Sequence, residues 1–77
     1  MQPSNDNIPP FPYKKILDKL KKSCQHGIKE NCLLLAIAYK YGKGKKRNIN
    51  KAKKYFSKSC AMGLNDGCED LNILNNN

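Results

Sequence analysis

Tryptophan is absent from this chain of 77 residues, and histidine occurs once, as His26. The six aromatic side chains (Phe11, Tyr13, Tyr39, Tyr41, Tyr55 and Phe56) are too few to wall a large enclosed pocket. Long apolar runs are missing as well. The longest, Leu33 to Tyr39, has seven residues, against the ~20 that a membrane-spanning helix requires. The N-terminus, Met1 to Asn7, lacks a basic segment followed by an apolar one, so no signal peptide is expected. Acidic residues are scarce too, six against fifteen basic ones, for a net charge of +9. That balance suits anionic partners, although a solvated lysine-rich surface explains it as simply. A single small domain buries only roughly 60% of the surface its unfolded chain exposes, so fastening beyond the core is expected. The four cysteines are the candidates.

What is present is a repeat. Cys24 and Cys32 are eight apart, Cys60 and Cys68 are eight apart, and the two pairs stand thirty-six residues from each other. Lys22-Ser23-Cys24 lies over Lys58-Ser59-Cys60, Gly27 over Gly63, Ile28 over Leu64 and Glu30 over Asp66. Upstream, Ile16 falls over Ala52 and Leu20 over Phe56. The apolar positions Tyr13, Ile16, Leu17, Leu20 and Cys24 keep helical spacing, as do Ile49, Ala52, Phe56 and Cys60. Two copies of one lysine-rich amphipathic helix follow, each stopped by a glycine suited to a left-handed cap. The run Cys32 to Tyr39 could be a buried strand by periodicity alone. Its leucines and alanines, and the Gly42-Lys43-Gly44 loop after it, favour a helix with neighbours on several sides. A second such helix begins near Asp66 and carries Leu71, Ile73 and Leu74.

The expected fold is therefore all-α: an α/α solenoid of helical hairpins, about one and a half repeats long. Residues 1–12, with Pro9, Pro10 and Pro12, are expected to be a disordered leader, residues 13–74 the repeat region, and residues 75–77 a disordered tail.

Each cysteine pair straddles the turn between a lysine-rich helix and the apolar helix after it. Antiparallel helices at ~8–10 Å bring such positions near the ~5.5–6 Å Cα separation of a disulfide. A loop of about nine residues would contribute roughly 2.6 kcal/mol by chain entropy. Free buried thiols are the open alternative. Zinc is disfavoured, because paired zinc ligands are usually two to four residues apart. His26 could join Cys24 and Cys32, but the second copy has Met62 in its place. No metal and no cofactor is expected.

The pattern Cys32-x-x-Leu35-Ala36-x-x-Tyr39-x-x-Gly42-x-Gly44, followed by Asn48-x-x-Lys51-Ala52-x-x-Tyr55-Phe56-x-Lys58-x-Cys60, resembles the Sel1-like repeat, a relative of the tetratricopeptide repeat. The cysteine offset narrows the resemblance to the Helicobacter cysteine-rich protein type. Ala36, Lys45, Asn48 and Ser59 depart from the family's usual glycine, valine, aspartate and alanine. The expected disulfides are Cys24–Cys32 and Cys60–Cys68, and the resemblance implies an α/α solenoid exported to the periplasm or medium, although no signal peptide is visible. It also implies scaffolding of protein partners, and for some members penicillin binding or weak β-lactamase activity.

Three function classes follow. The first is a binding or scaffold module for a protein or a cell-wall-derived, peptidoglycan-type ligand, since stacked hairpins present an extended recognition surface. The second is β-lactam binding or hydrolysis. It meets an obstacle in that Ser4, Ser23, Ser57 and Ser59 all lack a lysine three residues on, and no catalytic residue is assigned. The third is anionic-polymer binding through Lys43, Lys45, Lys46, Arg47, Lys51, Lys53 and Lys54. One arginine in the whole chain is poor equipment for base readout, so nucleic acid is disfavoured. The open flank of the last helix makes self-association a further expectation.

Overall fold

A computed structural model describes residues 13–42 and 46–76. The leader expected at residues 1–12 lies outside the described residues, as do Lys43 to Lys45 and Asn77. The described chain forms four helices: α1 (Tyr13–Gln25), α2 (Lys29–Tyr41), α3 (Ile49–Ala61) and α4 (Asn65–Asn75). There is no strand among the described residues, so Cys32 to Tyr39 is helical. The last helix reaches Asn75, one residue into the segment expected as tail.

The two hairpin turns share one hydrogen-bond pattern, and it accounts for the cysteine offset. Gly27 takes a left-handed φ of 93° and donates its N–H to the Cys24 carbonyl at 3.0 Å, while Ile28 N–H reaches the Ser23 carbonyl at 3.1 Å. Gly63, at φ 97°, repeats this with Cys60, and Leu64 with Ser59, each at 3.0 Å. Both are Schellman caps, which satisfy the last carbonyls of the outgoing helix and need a residue free of the Cβ penalty at positive φ. The residue after each glycine also starts the next helix. The Ile28 carbonyl accepts from Asn31 N–H, and the Leu64 carbonyl from Gly67 N–H, both at 3.0 Å. With no spare residue in the turn, the cysteine two before each cap residue comes to lie beside the fourth residue of the following helix.

The connection from α2 to α3 is longer and is pinned differently. Gly42, at φ 74°, closes α2 by donating to the Ala38 carbonyl. Asn48 N–H reaches the Tyr39 carbonyl at 2.9 Å and Arg47 Nε the Lys40 carbonyl at 3.1 Å, so two more orphan carbonyls of α2 are satisfied. The Asn48 side chain then caps α3, with Oδ1 accepting from Lys51 N–H at 3.0 Å.

Packing follows chain order. The second helix lies against α1 and α3, and α3 lies against α2 and α4. The core is Leu17 and Cys24 from α1, Cys32, Leu35, Ala36, Ala38 and Tyr39 from α2, and Ala52, Tyr55 and Phe56 from α3. Leu71 and Leu74 bring α4 onto it. Phe56, fully buried, is the largest sealed side chain. Burying a phenylalanine contributes roughly 1.5–3 kcal/mol, a sizeable share for so small a core.

Candidate functional site

The four cysteines form two disulfides, Cys24–Cys32 and Cys60–Cys68, with Cα separations of 4.7 and 4.6 Å. Each ties a lysine-rich helix to the apolar helix after it. The clips are alike in connectivity and unlike in surroundings. Cys24 and Cys32 are 1% and 0% exposed, whereas Cys60 and Cys68 are both half-buried. The difference comes from neighbours: α2 is covered on two sides and α4 on one.

Three surfaces remain. The first is the face of α2 turned away from the core. Leu34 and Tyr41, seven residues apart and so on one side of the helix, are 49% and 61% exposed, with half-buried Ile37 between them. Glu30 shares this face one turn before Leu34. The buried positions Cys32, Leu35, Ala36 and Tyr39 occupy the other side. On α4 the repeat register puts Asp66, Asp70 and Ile73 at the places of Glu30, Leu34 and Ile37, and Ile73 is 52% exposed. The open face of α2 is thus apolar after one acidic residue at its start, and the matching face of α4 is acidic up to Ile73, in a chain that is strongly basic as a whole.

The second surface is lysine-rich. Among the expected basic residues, Lys43 and Lys45 lie outside the described residues and Lys46 is exposed. Arg47 is engaged with the end of α2, as above. Tyr39 and Tyr55 stack with centroids 5.8 Å apart and planes 5° from parallel. Lys51 Nζ lies 5.5 Å from the Tyr39 ring, and Lys54 and Lys58 Nζ lie 5.6 and 6.0 Å from the Tyr55 ring. These ammonium groups sit over aromatic faces while their charge stays in water. Both tyrosines are buried, so the pair is no platform on which a nucleobase could stack. Lys53, half-buried, stands where the repeat has Leu17.

The third surface is an open groove of about 460 Å³ on α4, lined by Cys68, Glu69, Leu71, Asn72 and Asn75. Nothing in the sequence marks it directly, because its lining reads as polar and tail-like.

For the chemistry expected from the resemblance, little is poised. Ser59 is sealed and donates its hydroxyl to the Phe56 carbonyl at 2.9 Å. His26 is exposed in the first hairpin turn. Among the described residues no three His, Cys, Asp or Glu side chains gather to hold a metal ion, and no helix is long and apolar enough to cross a membrane.

Comparison with known proteins found no family model, no curated protein and no solved structure that matches this chain.

Proposed function

We propose that the chain is a helical-repeat binding module of the Sel1-like kind, whose open α2 face receives an extended or helical segment of a protein partner. The observation that carries this reading is the exposure of Leu34 and Tyr41 on the side of α2 opposite its buried residues. A helix that spends leucine and tyrosine on solvent in so small a fold holds apolar surface in reserve for a partner, and such a face is what a helix-in-groove or peptide contact uses. Glu30, Asp66 and Asp70 add a preference for basic side chains beside the partner's apolar anchors. Two disulfides in so short a chain fit an oxidising compartment, and we infer export to the periplasm or medium. The β-lactam reading draws no support from Ser59, whose hydroxyl is sealed.

The test is selection from a displayed peptide library on the immobilised full-length chain, with a Leu34→Glu, Tyr41→Ala variant as the counter-target. Enrichment of peptides carrying apolar and basic residues, bound at least tenfold less well by the variant, supports the assignment. Peptides that bind both proteins equally would place recognition elsewhere, and no enrichment over an unrelated helical protein would remove the binding reading.

A further inference from the structure

We infer that the α4 groove seats α1 of a second copy of this chain, so that molecules associate head to tail. Cys68, Glu69, Leu71, Asn72 and Asn75, which line the groove, lie thirty-six residues after Cys32, Leu33, Leu35, Ala36 and Tyr39. That set includes the side of α2 on which α3 sits: Tyr39 stacks on Tyr55, its ring lies under Lys51, and its carbonyl holds Asn48. The groove is the same face one repeat later, without its covering helix. The helix that would cover it has a copy in the chain, because α1 repeats α3. The α3 residues that meet Tyr39 of α2, Lys51 and Tyr55, correspond to Lys15 and Lys19. Both are exposed, so α1 still offers this side.

Chemistry fits the two faces to each other. Of the residues lining the groove, Cys68 and Leu71 are half-buried and Glu69, Asn72 and Asn75 are exposed. Such an arrangement matches the core-and-rim anatomy of an interface between separate molecules. Where Tyr39 meets Tyr55 within the chain, the intermolecular counterparts are Asn75 and Lys19, a hydrogen-bonding pair. The charges are complementary as well: Glu69 is the one charged residue that lines the groove, and α1 presents exposed Lys15, Lys19 and Lys22. Because the two patches are different surfaces, the contact is heterologous and repeats along an open chain instead of closing as a dimer. A polar last helix serving only as a cap on the array is the alternative that the experiment must beat.

The experiment is sedimentation equilibrium of the full chain from micromolar to millimolar concentration at 0.15 M salt, where repulsion from the net charge of +9 is screened beyond ~8 Å. Two variants carry exposed substitutions only. Lys19→Glu with Lys22→Glu disables α1, and Glu69→Lys with Asn75→Lys disables α4. Circular dichroism of each, matching the parent, guards against misfolding. The expected result is a weight-average mass that climbs with concentration for the parent, a monomer for each variant alone, and a one-to-one dimer when the variants are mixed, since each keeps one working face. A parent that stays monomeric throughout overturns the proposal and leaves α4 a cap. Variants that still self-associate alone, or that fail to pair when mixed, overturn the assignment of these faces.

Discussion

Replacing Gly67 with alanine is expected to destabilise the protein, even though alanine is the better helix former. Gly67 is the third residue of α4 and is buried against α3. A Cβ there would collide with Ser59 Oγ and would lie 2.8 Å from the Phe56 carbonyl oxygen and 2.9 Å from the Cys60 nitrogen. Two of these three atoms are backbone of a packed helix and cannot rotate away. Against this stands a propensity gain of at most ~1 kcal/mol, and less in a first turn. Overpacking a close contact costs roughly 1–3 kcal/mol, so the net loss is about 1–2 kcal/mol. For a domain of this size that lowers Tm by roughly 4–15 °C. The assay is thermal unfolding followed by circular dichroism with the disulfides intact. Ser59→Ala in the same chain should recover part of the loss, because it removes the hydroxyl and leaves the backbone contacts. Asn31→Ala, at the matching position of α2 where a side chain is already housed, should change stability by less than ~1 kcal/mol. A Gly67→Ala protein as stable as the parent would mean that α3 and α4 do not approach this closely, and the reasoning would fail.

Two further outcomes follow from burial. Phe56→Ala should cost roughly 3–5 kcal/mol, enough to leave the fold largely unfolded at room temperature in a denaturant titration, because Phe56 is fully buried. A loss below ~1 kcal/mol would contradict its place at the centre of the core. Graded reduction with a small thiol, quenched by alkylation and read by mass spectrometry, should open Cys60–Cys68 before Cys24–Cys32. Exchange needs a thiolate to reach a sulfur, and only the second clip is partly exposed. The reverse order, or simultaneous opening of both, would show that exposure does not control access.

Much of the architecture was legible in the residues because it is local. The spacing of Leu17, Leu20 and Cys24, the glycine stops at Gly27 and Gly63, and the capping ability of Asn48 each act within a few residues of themselves, and the structure carries all three. What the sequence could not show depends on neighbours distant in the chain. The two cysteine pairs look equivalent in sequence, yet one is sealed and the other is not, because α4 has a packed partner on only one side. At the third position of the apolar helices Asn31 becomes Gly67, a change that reads as turn chemistry until α3 is seen to fill the space of the missing side chain. Lys51, Lys54 and Lys58 look like a free cationic stripe, and their alignment over Tyr39 and Tyr55 emerges only when α2 and α3 are packed together. The exposed apolar face of α2 was the least legible part. Leu34 belongs to the same apolar run as Leu33 and Leu35, and nothing local marks it as the one turned to solvent.

Each lysine-rich helix is clipped to the apolar helix after it, giving two hairpins. Intact mass after alkylation, with and without prior reduction, followed by peptide mapping of protein taken directly from the producing cell, tests it most directly. The expected result is no free thiol, with Cys24 joined to Cys32 and Cys60 to Cys68. Four alkylated thiols in unreduced protein, or a bridge between the two pairs, would contradict it.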